Sequence, residues 1–286
     1  MDLPDIRQDP TLEQIIDAAL SEDIGSGDVT TLSLVPADAS IRAVMISRRA
    51  YTVSGVGVAE MVFKKVDTAI ECDVLVQDGR KAGKDDVILV AEGPARGILT
   101  AERTALNFMQ RMTGIATLTR QFVDIARPHN VAILDTRKTT PTLRAIEKYA
   151  VLCGGGENHR IGLYDRVLIK DNHRRLWQDG DPDALDKAVE CSREKFPDVK
   201  IEIEVETMAE LESALRAKPD WVLLDNMGPE RLREAVKICK GRSRLEASGG
   251  ITLANVEGVA ATGIDAISLG CLTHSAPAAD LSLEIP

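Results

Sequence analysis

From residue 131 onward the chain repeats one pattern, a short apolar run followed by a segment with helical periodicity. The runs are Val131–Leu134, Val167–Ile169, Ile201–Val205, Trp221–Leu224, Arg244–Ala247 and Ala266–Leu269. The last four begin about 20 to 23 residues apart, near the minimum for a strand with a returning helix. Strands this apolar, alternating with helices, imply a parallel sheet covered by helices. Thr207 and Glu210 form a capping box for one of those helices, with Leu211, Ala214 and Leu215 on its buried face. Gly228-Pro229 and Gly263 mark helix boundaries. Polar residues end run after run: Asp135, Arg137 and Lys138, then Lys170 and Asp171, Glu204 and Glu206, Asp225, and Ser248-Gly-Gly250. Ends of so many successive strands converge only if the strands form a ring, whereas an open sheet gathers only those beside one crevice. Six runs are clear and a full barrel needs eight. The expectation is an incomplete α/β barrel, or one with two hidden strands, around Tyr149–Cys153 for instance.

The first third has another rhythm. Thr11 and Gln14 read as a capping box opening a helix whose stripe is Leu12, Ile15, Ile16 and Ala19. A polar loop, Glu22-Asp-Ile-Gly-Ser-Gly-Asp28, leads to β-like runs at Ile41–Ser47, Tyr51–Val58, Asp73–Val76 and Val87–Glu92. A helix from about Thr100 to Met112 leads out. This part reads as a small α+β layer, residues 1–114, ahead of the barrel at 115–272. The formal net charge of −10 argues against nucleic acid or an anionic membrane as partner. No apolar run approaches the roughly 20 residues needed to span a bilayer. The polar start MDLPDIRQDP does not fit a secretory signal. Five dispersed cysteines argue for a reducing compartment and against a zinc site or disulfide framework, so the expected location is the cytoplasm.

Four constellations carry chemistry. Between Asp135 and Arg175 stand nine Arg and Lys against five acids, a local balance of +4 in an acidic chain. Arginine forks suit carboxylates and phosphates, so Arg137, Lys138, Arg160 and Lys170 point to a ligand with several anionic groups; Arg144 and Lys148, at i and i+4, read as a solvated helix face. Gly154-Gly-Gly156, followed by Glu157-Asn-His-Arg160, allows close approach of backbone to a ligand. Glu202, Glu204 and Glu206 share one strand face, and a buried charge needs a partner. Glu204 and Asp225, at neighbouring strand ends, suit Mg²⁺ or a cationic sugar centre; the alternative is an ion pair with a lysine. Ser248-Gly249-Gly250, with Gly270 at the next strand end, reads as a phosphate site formed by a glycine pair before a helix. His274 reads as structural.

These residues sit in longer motifs that identify a family. Glu22-Asp-Ile-Gly-Ser-Gly-Asp-Val-Thr-Thr31, Glu102-Arg-Thr-Ala-Leu-Asn107 and Asp135-Thr-Arg-Lys-Thr-Thr-Pro141 come first. Gly154-Gly-Gly-Glu-Asn-His-Arg160, Leu168-Ile-Lys-Asp-Asn-His173, Glu202-Ile-Glu-Val-Glu206 and Leu223-Leu-Asp-Asn226 follow. Glu246-Ala-Ser-Gly-Gly-Ile251 and Leu272-Thr-His-Ser-Ala-Pro277 close the series. Along nearly its whole length the chain resembles the quinolinate phosphoribosyltransferases, pentosyl-transferring glycosyltransferases of NAD synthesis. The resemblance implies transfer of phosphoribose from phosphoribosyl pyrophosphate to quinolinate with decarboxylation, and Mg²⁺ as cofactor. It implies an N-terminal α/β sandwich, with 273–286 packing back on it, and an open seven-stranded parallel α/β barrel. It also implies a homodimer or higher oligomer in which Arg103 enters the neighbour's site. By motif position, Arg137, Lys138, His159 and Arg160 face quinolinate, and Lys170 lies between quinolinate and the phosphoribosyl group. Glu204 and Asp225 face ribose and metal, and Ser248, Gly249, Gly250 and Gly270 take the 5′-phosphate. Arg174-Arg175-Leu-Trp177 departs from the family pattern, and Gln178–Asp183 reads as a polar loop.

Other readings are a related molybdenum-associated protein of the same fold, a Schiff-base aldolase using Lys138 or Lys170, and a non-enzymatic anion-binding subunit. Lys170-Asp-Asn-His173 and Asn158-His-Arg160 match the quinolinate enzymes better than the first. The clustered guanidiniums and the Ser-Gly-Gly loop suit a diphosphorylated substrate better than the second.

Overall fold

The computed structural model describes residues 3–177 and 184–286, so the stretch Gln178–Asp183 lies outside the described residues. In chain order the elements begin α1 (Leu12–Ile24), α2 (Val29–Leu34), β1 (Ser40–Ser47), β2 (Tyr51–Thr52), α3 (Val56–Val66), β3 (Glu71–Val74), β4 (Lys81–Ala82), β5 (Val87–Pro94) and α4 (Ala95–Ala126). Next come β6 (Ala132–Leu134), α5 (Arg144–Cys153), β7 (Val167–Ile169), α6 (Asp171–Arg175), α7 (Leu185–Lys195), β8 (Ile201–Val205) and α8 (Met208–Arg216). The series ends with β9 (Trp221–Asp225), α9 (Pro229–Cys239), β10 (Arg244–Ser248), α10 (Val256–Ala260), β11 (Ala266–Ser268), α11 (Cys271–His274) and β12 (Leu281–Glu284). The chain divides into two compact units. One takes the residues up to 120 with 138–156 and 271–286, and the other takes 121–137 and 157–270. Residues 138–156, which the sequence reading assigns to the barrel, thus belong to the first unit.

The first unit holds an antiparallel sheet in the order β12-β1-β5-β3, so the C-terminal strand completes a sheet begun by residue 40. Leu12, Ile16 and Leu20 form the buried stripe of α1. Its expected capping box does not form. The Thr11 side chain makes no cap bond and instead donates to Asp9 Oδ1 at 2.6 Å. The strand expected at Tyr51–Val58 stops at Thr52, because Gly55 (φ 103°) turns the chain into α3. Val56, Ala59, Val62 and Phe63 then bury one face of that helix, a 3.6-residue repeat hidden inside an apolar run. The exit helix expected over Thr100–Met112 is longer at both ends. The strand expected at Tyr149–Cys153 is the last half of α5, a case that apolar periodicity over five residues does not settle. Lys148, read from the sequence as solvated, is 1% exposed. The Gly154–Gly156 run closes α5. A side chain at Gly154 would strike Thr119 and the carbonyl of Ala116, so that glycine serves helix packing rather than ligand approach.

The second unit holds a six-stranded parallel sheet in the order β6-β11-β10-β9-β8-β7. Glu157 adds an isolated parallel bridge beside Leu134. Among the described residues the sheet has six strands, one fewer than the expected seven, with this bridge on the outer side of β6. Register and the two-residue period define the inner face. Leu168 pairs with Glu202, Glu202 with Trp221, Glu246 with Leu223 and Ala266, and Ser248 with Asp225. In a flat sheet the Glu157 bridge and β8 would lie five strand spacings apart, about 24 Å. Yet His159 Nε2 lies 3.0 Å from Glu202 on β8 and 3.4 Å from Glu246 on β10. The sheet is therefore rolled, with these side chains meeting inside. Leu134, Trp221 and Ala266 form an apolar cluster in this core, and the guanidiniums of Arg166 and Arg244 lie 5.5 and 5.3 Å from the Trp221 ring centre.

Candidate active site

The alternation that points Glu202 into the barrel carries Glu204 and Glu206 outward along the same face. Burial falls from complete at Glu202, through partial at Glu204, to exposed at Glu206. Glu204 Oε2 accepts from Lys170 Nζ at 2.6 Å, joining the ends of β7 and β8. The lysine ion pair kept open as an alternative for the acidic strand thus exists at Glu204. On β9 and β10, Asp225 and Ser248 pair in register, and Asn226 N–H donates to the Ser248 carbonyl at 2.9 Å. Asp225 Oδ2 accepts from Asn226 Nδ2 at 2.8 Å. Gly249 (φ 93°) lies against Asn226, where a Cβ would clash, and Gly250 (φ 63°) also needs the left-handed region. Among the described residues none accepts a hydrogen bond from the Gly249 or Gly250 N–H, which suits an anion. The expected helix does not follow directly. Asn255 caps a turn through Thr252 N–H (2.7 Å), and the five-residue α10 starts only at Val256, so no helix N-terminus stands behind the glycine pair.

Arg137 and Arg160 lie in the same unit. Arg137 Nε is buried and has no hydrogen-bond partner among the described residues. Burial, and then the charge of Arg137, hold the Arg160 guanidinium below the ordinary arginine value, against the opposing pull of Glu202 and Asp165. Two guanidiniums that repel one another, one with a buried Nε unpaired, suit a carboxylate or phosphate. Arg160 also donates to the Arg166 carbonyl at 3.2 Å.

His159 is 7% exposed, and both its ring nitrogens are engaged by protein. Nδ1 accepts the Arg160 N–H at 2.7 Å, and Nε2 faces Glu202 and Glu246. Its own N–H donates to Asp135 Oδ1 at 2.9 Å. Arg166 reaches Glu202 at 3.2 Å. Burial opposes charge on Glu202, but His159 and Arg166 outweigh it and hold its pKa below the ordinary value. Burial and the Glu202 charge push Glu246 up. Among the described residues, His159, Glu202 and Glu246 are also the one cluster of three with ligand atoms within 4.8 Å. With Nδ1 accepting a backbone N–H, Nε2 carries the proton toward the carboxylates, so this is a hydrogen-bonded hub rather than a metal centre. The sequence reading missed Glu246 and Arg166 as partners of His159. Their signal was the two-residue spacing from Glu246 to Ser248, which puts both on one face.

Two expected site residues belong to the first unit. Arg103 is exposed on α4, and Lys138 is exposed at the start of the segment leading to α5. Gly270 ends the second unit after β11.

Residues 28–113 match the quinolinate phosphoribosyl transferase N-terminal domain, and residues 115–284 match the C-terminal domain of the same family. A probable nicotinate-nucleotide pyrophosphorylase [carboxylating] of Bacillus subtilis is 38% identical over 274 residues, covering 96% of this chain and 93% of that protein. A chloroplastic nicotinate-nucleotide pyrophosphorylase [carboxylating] of Oryza sativa is 40% identical over 292 residues, covering 96% of this chain and 77% of its own. Among solved structures, the nicotinate-nucleotide pyrophosphorylase from Francisella tularensis superimposes with a TM-score of 0.93 at 38% identity, covering both chains completely. The enzyme of that name from Ehrlichia chaffeensis gives 0.89 at 38% identity over 96% of this chain and 98% of the other. Both domains of one family, matched in order along the chain, leave no room for the aldolase reading: the chain belongs to the quinolinate phosphoribosyltransferase family.

Proposed function

We propose that the chain transfers phosphoribose from phosphoribosyl pyrophosphate to the ring nitrogen of quinolinate, with loss of the 2-carboxylate. The products are nicotinate mononucleotide, pyrophosphate and CO₂, in the synthesis of NAD. One observation supports this reading of the substrate side: Arg137 leaves a buried Nε without a partner among the described residues, and its charge acts on Arg160. A pyridine dicarboxylate offers those guanidiniums the oxygens they lack. Lys138, next in sequence to Arg137, adds a cation on the quinolinate side. His159 serves through its hold on the Arg160 backbone. Lys170 stands between quinolinate and the sugar, where Glu204 and Asp225 offset positive charge developing at C1 as pyrophosphate departs. Ser248, Gly249, Gly250 and Gly270 bind the 5′-phosphate. When the C2–carboxylate bond then breaks, its electron pair stays on the ring beside the positively charged nitrogen, a proton replaces CO₂ at C2, and the surrounding cations favour that charge.

Mg²⁺ belongs to this reading. Glu204 and Asp225 are oxygen donors of the right hardness but too few for a cage, which fits an ion held by one or two carboxylates and substrate phosphates that shields the leaving pyrophosphate. The working unit is at least a homodimer. Arg103 is exposed, with no hydrogen bond or ion pair among the described residues, and the nearby helix α2 exposes Val29 (76%), Leu32 (55%) and Leu34 (77%). No helix among the described residues is long and apolar enough to cross a membrane, and the cytoplasm remains the proposed location.

The test is turnover. Quinolinate with phosphoribosyl pyrophosphate should release CO₂ and pyrophosphate in equal amounts, while nicotinate in place of quinolinate should not react. Absence of CO₂ release rejects the reading. Arg137→Ala should bind quinolinate about 100-fold more weakly, as expected for a buried charge left without its partner. Near-normal affinity by titration would remove Arg137 from the quinolinate site.

A further inference from the structure

The first unit contains a buried ion pair that the proposed chemistry does not use. Glu147 on α5 is fully buried. Its Oε1 accepts from Arg111 Nε at 3.1 Å and Nη2 at 2.8 Å, and from Thr140 Oγ1 at 2.8 Å. Its Oε2 accepts the Thr140 N–H at 3.0 Å. Arg111, on α4, also donates to the carbonyls of Thr273 and of Ala276, the latter at 3.2 Å. Thr273, fully buried on α11, returns its hydroxyl to the Lys138 carbonyl at 2.8 Å. The returning chain is itself anchored on α4. Ala279 N–H donates to the Gln110 carbonyl, Gln110 Nε2 donates to the Leu281 carbonyl, and a side chain at Gly114 would strike Pro277. The backbone of residues 138–140 is thus held by Glu147 at Thr140 and by Thr273 at Lys138, with Arg111 joining the two. The same loop holds Thr142 at φ 69°, a conformation that a β-branched residue keeps only where its surroundings over-determine it.

An ion pair needed for stability alone would not require this arrangement, since a well-packed apolar pair serves as well. Here every free valence of the pair is spent on one exposed loop and the tail that grips it. We propose that Arg111, Glu147 and Thr273 are positioning residues that fix the backbone of Lys138, so that its exposed ammonium meets quinolinate at a set place. The C-terminal segment is then part of the substrate site's support. This rests on the reading of Lys138 as a quinolinate contact.

Steady-state kinetics on the full-length enzyme test it. Thr273→Val keeps the shape and removes the hydroxyl that donates to the Lys138 carbonyl. It should raise KM for quinolinate about fivefold, the worth of one hydrogen bond, with KM for phosphoribosyl pyrophosphate unchanged in a folded enzyme. Thr273→Ser should restore the wild-type KM. In a Lys138→Ala background Thr273→Val should have no further effect on quinolinate KM, because two changes on one path do not add. Glu147→Gln provides a second variant and should shift quinolinate KM in the same direction. An unchanged quinolinate KM in a folded Thr273→Val enzyme, or an equal rise for both substrates, would overturn the proposal while leaving Lys138 in place. If Lys138→Ala itself leaves quinolinate KM unchanged, the contact reading fails and the positioning role falls with it.

Discussion

At the scale of single residues, His159 shows how a motif position and a physical role part company. The motif places it beside the pyridine, but its ring is spent on Glu202, Glu246 and the Arg160 N–H. Burial disfavours a charged ring there, yet the Glu202 and Glu246 carboxylates outweigh it and raise the pKa from 6.5 to about 9; charging the ring makes Nδ1 a donor, so its bond from the Arg160 N–H belongs to the neutral ring. A pKa raised in the folded state means that folding holds the proton more tightly than the unfolded chain does. The stabilisation is complete below about 6.5 and is lost as pH rises through about 9. The expected result is a thermal midpoint that falls between these pH values in the wild type and falls less in His159→Gln. Parallel curves for the two would show that the ring stays neutral throughout. The sequence marks Arg137 and Glu204 as candidates because they stand at the ends of apolar runs. It does not mark Glu147 and Arg111, because nothing local distinguishes an ion-pairing residue inside a helix from a solvated one.

Among the elements, those with a long or repeated pattern were read with their bounds nearly right. The strands at Ile201–Val205 and the helix opened by Thr207 are examples: Glu210 Oε2 accepts from Thr207 N–H at 3.1 Å, and Glu210 N–H donates to Thr207 Oγ1 at 3.2 Å. Short apolar runs misled, at α3 and α5, since five apolar residues fit either period. Arg174, atypical for the family by sequence, proves to be buried and bonded to Glu210 Oε1 at 2.8 Å. That ties α6, which follows Lys170, to the start of α8, which follows Glu206. Arg174→Met should therefore lower unfolding free energy by about 2 kcal/mol, the worth of a hydrogen bond between charged groups. Urea unfolding checks this, and an unchanged midpoint at an unchanged slope would assign the pair no net stability.

For the whole molecule, the proposed shared site makes a claim about chains rather than side chains. Arg103→Ala and Lys170→Ala should each be inactive alone. Mixed oligomers should regain partial activity, because one of the two sites in a mixed dimer would receive both intact residues. Failure to recover activity after confirmed subunit exchange would place Arg103 and Lys170 in the same chain's site or remove Arg103 from it.

The sequence by itself determined the strand-helix repeat, the parallel sheet, the anionic character of the ligand and, through long ordered motifs, the family. Each is a matter of local order: side-chain period, composition at strand ends, and runs of neighbours. Only the tertiary structure decided which charges meet. Rolling the sheet brings His159 onto carboxylates from two other strands, the ion pair of Lys170 with Glu204 closes two strand ends, and the returning C-terminus reaches the Lys138 carbonyl across 135 residues of chain. The physical reason is that a buried charge is stable only with its partner, and partners 30 to 135 residues apart leave no mark on the residues beside them.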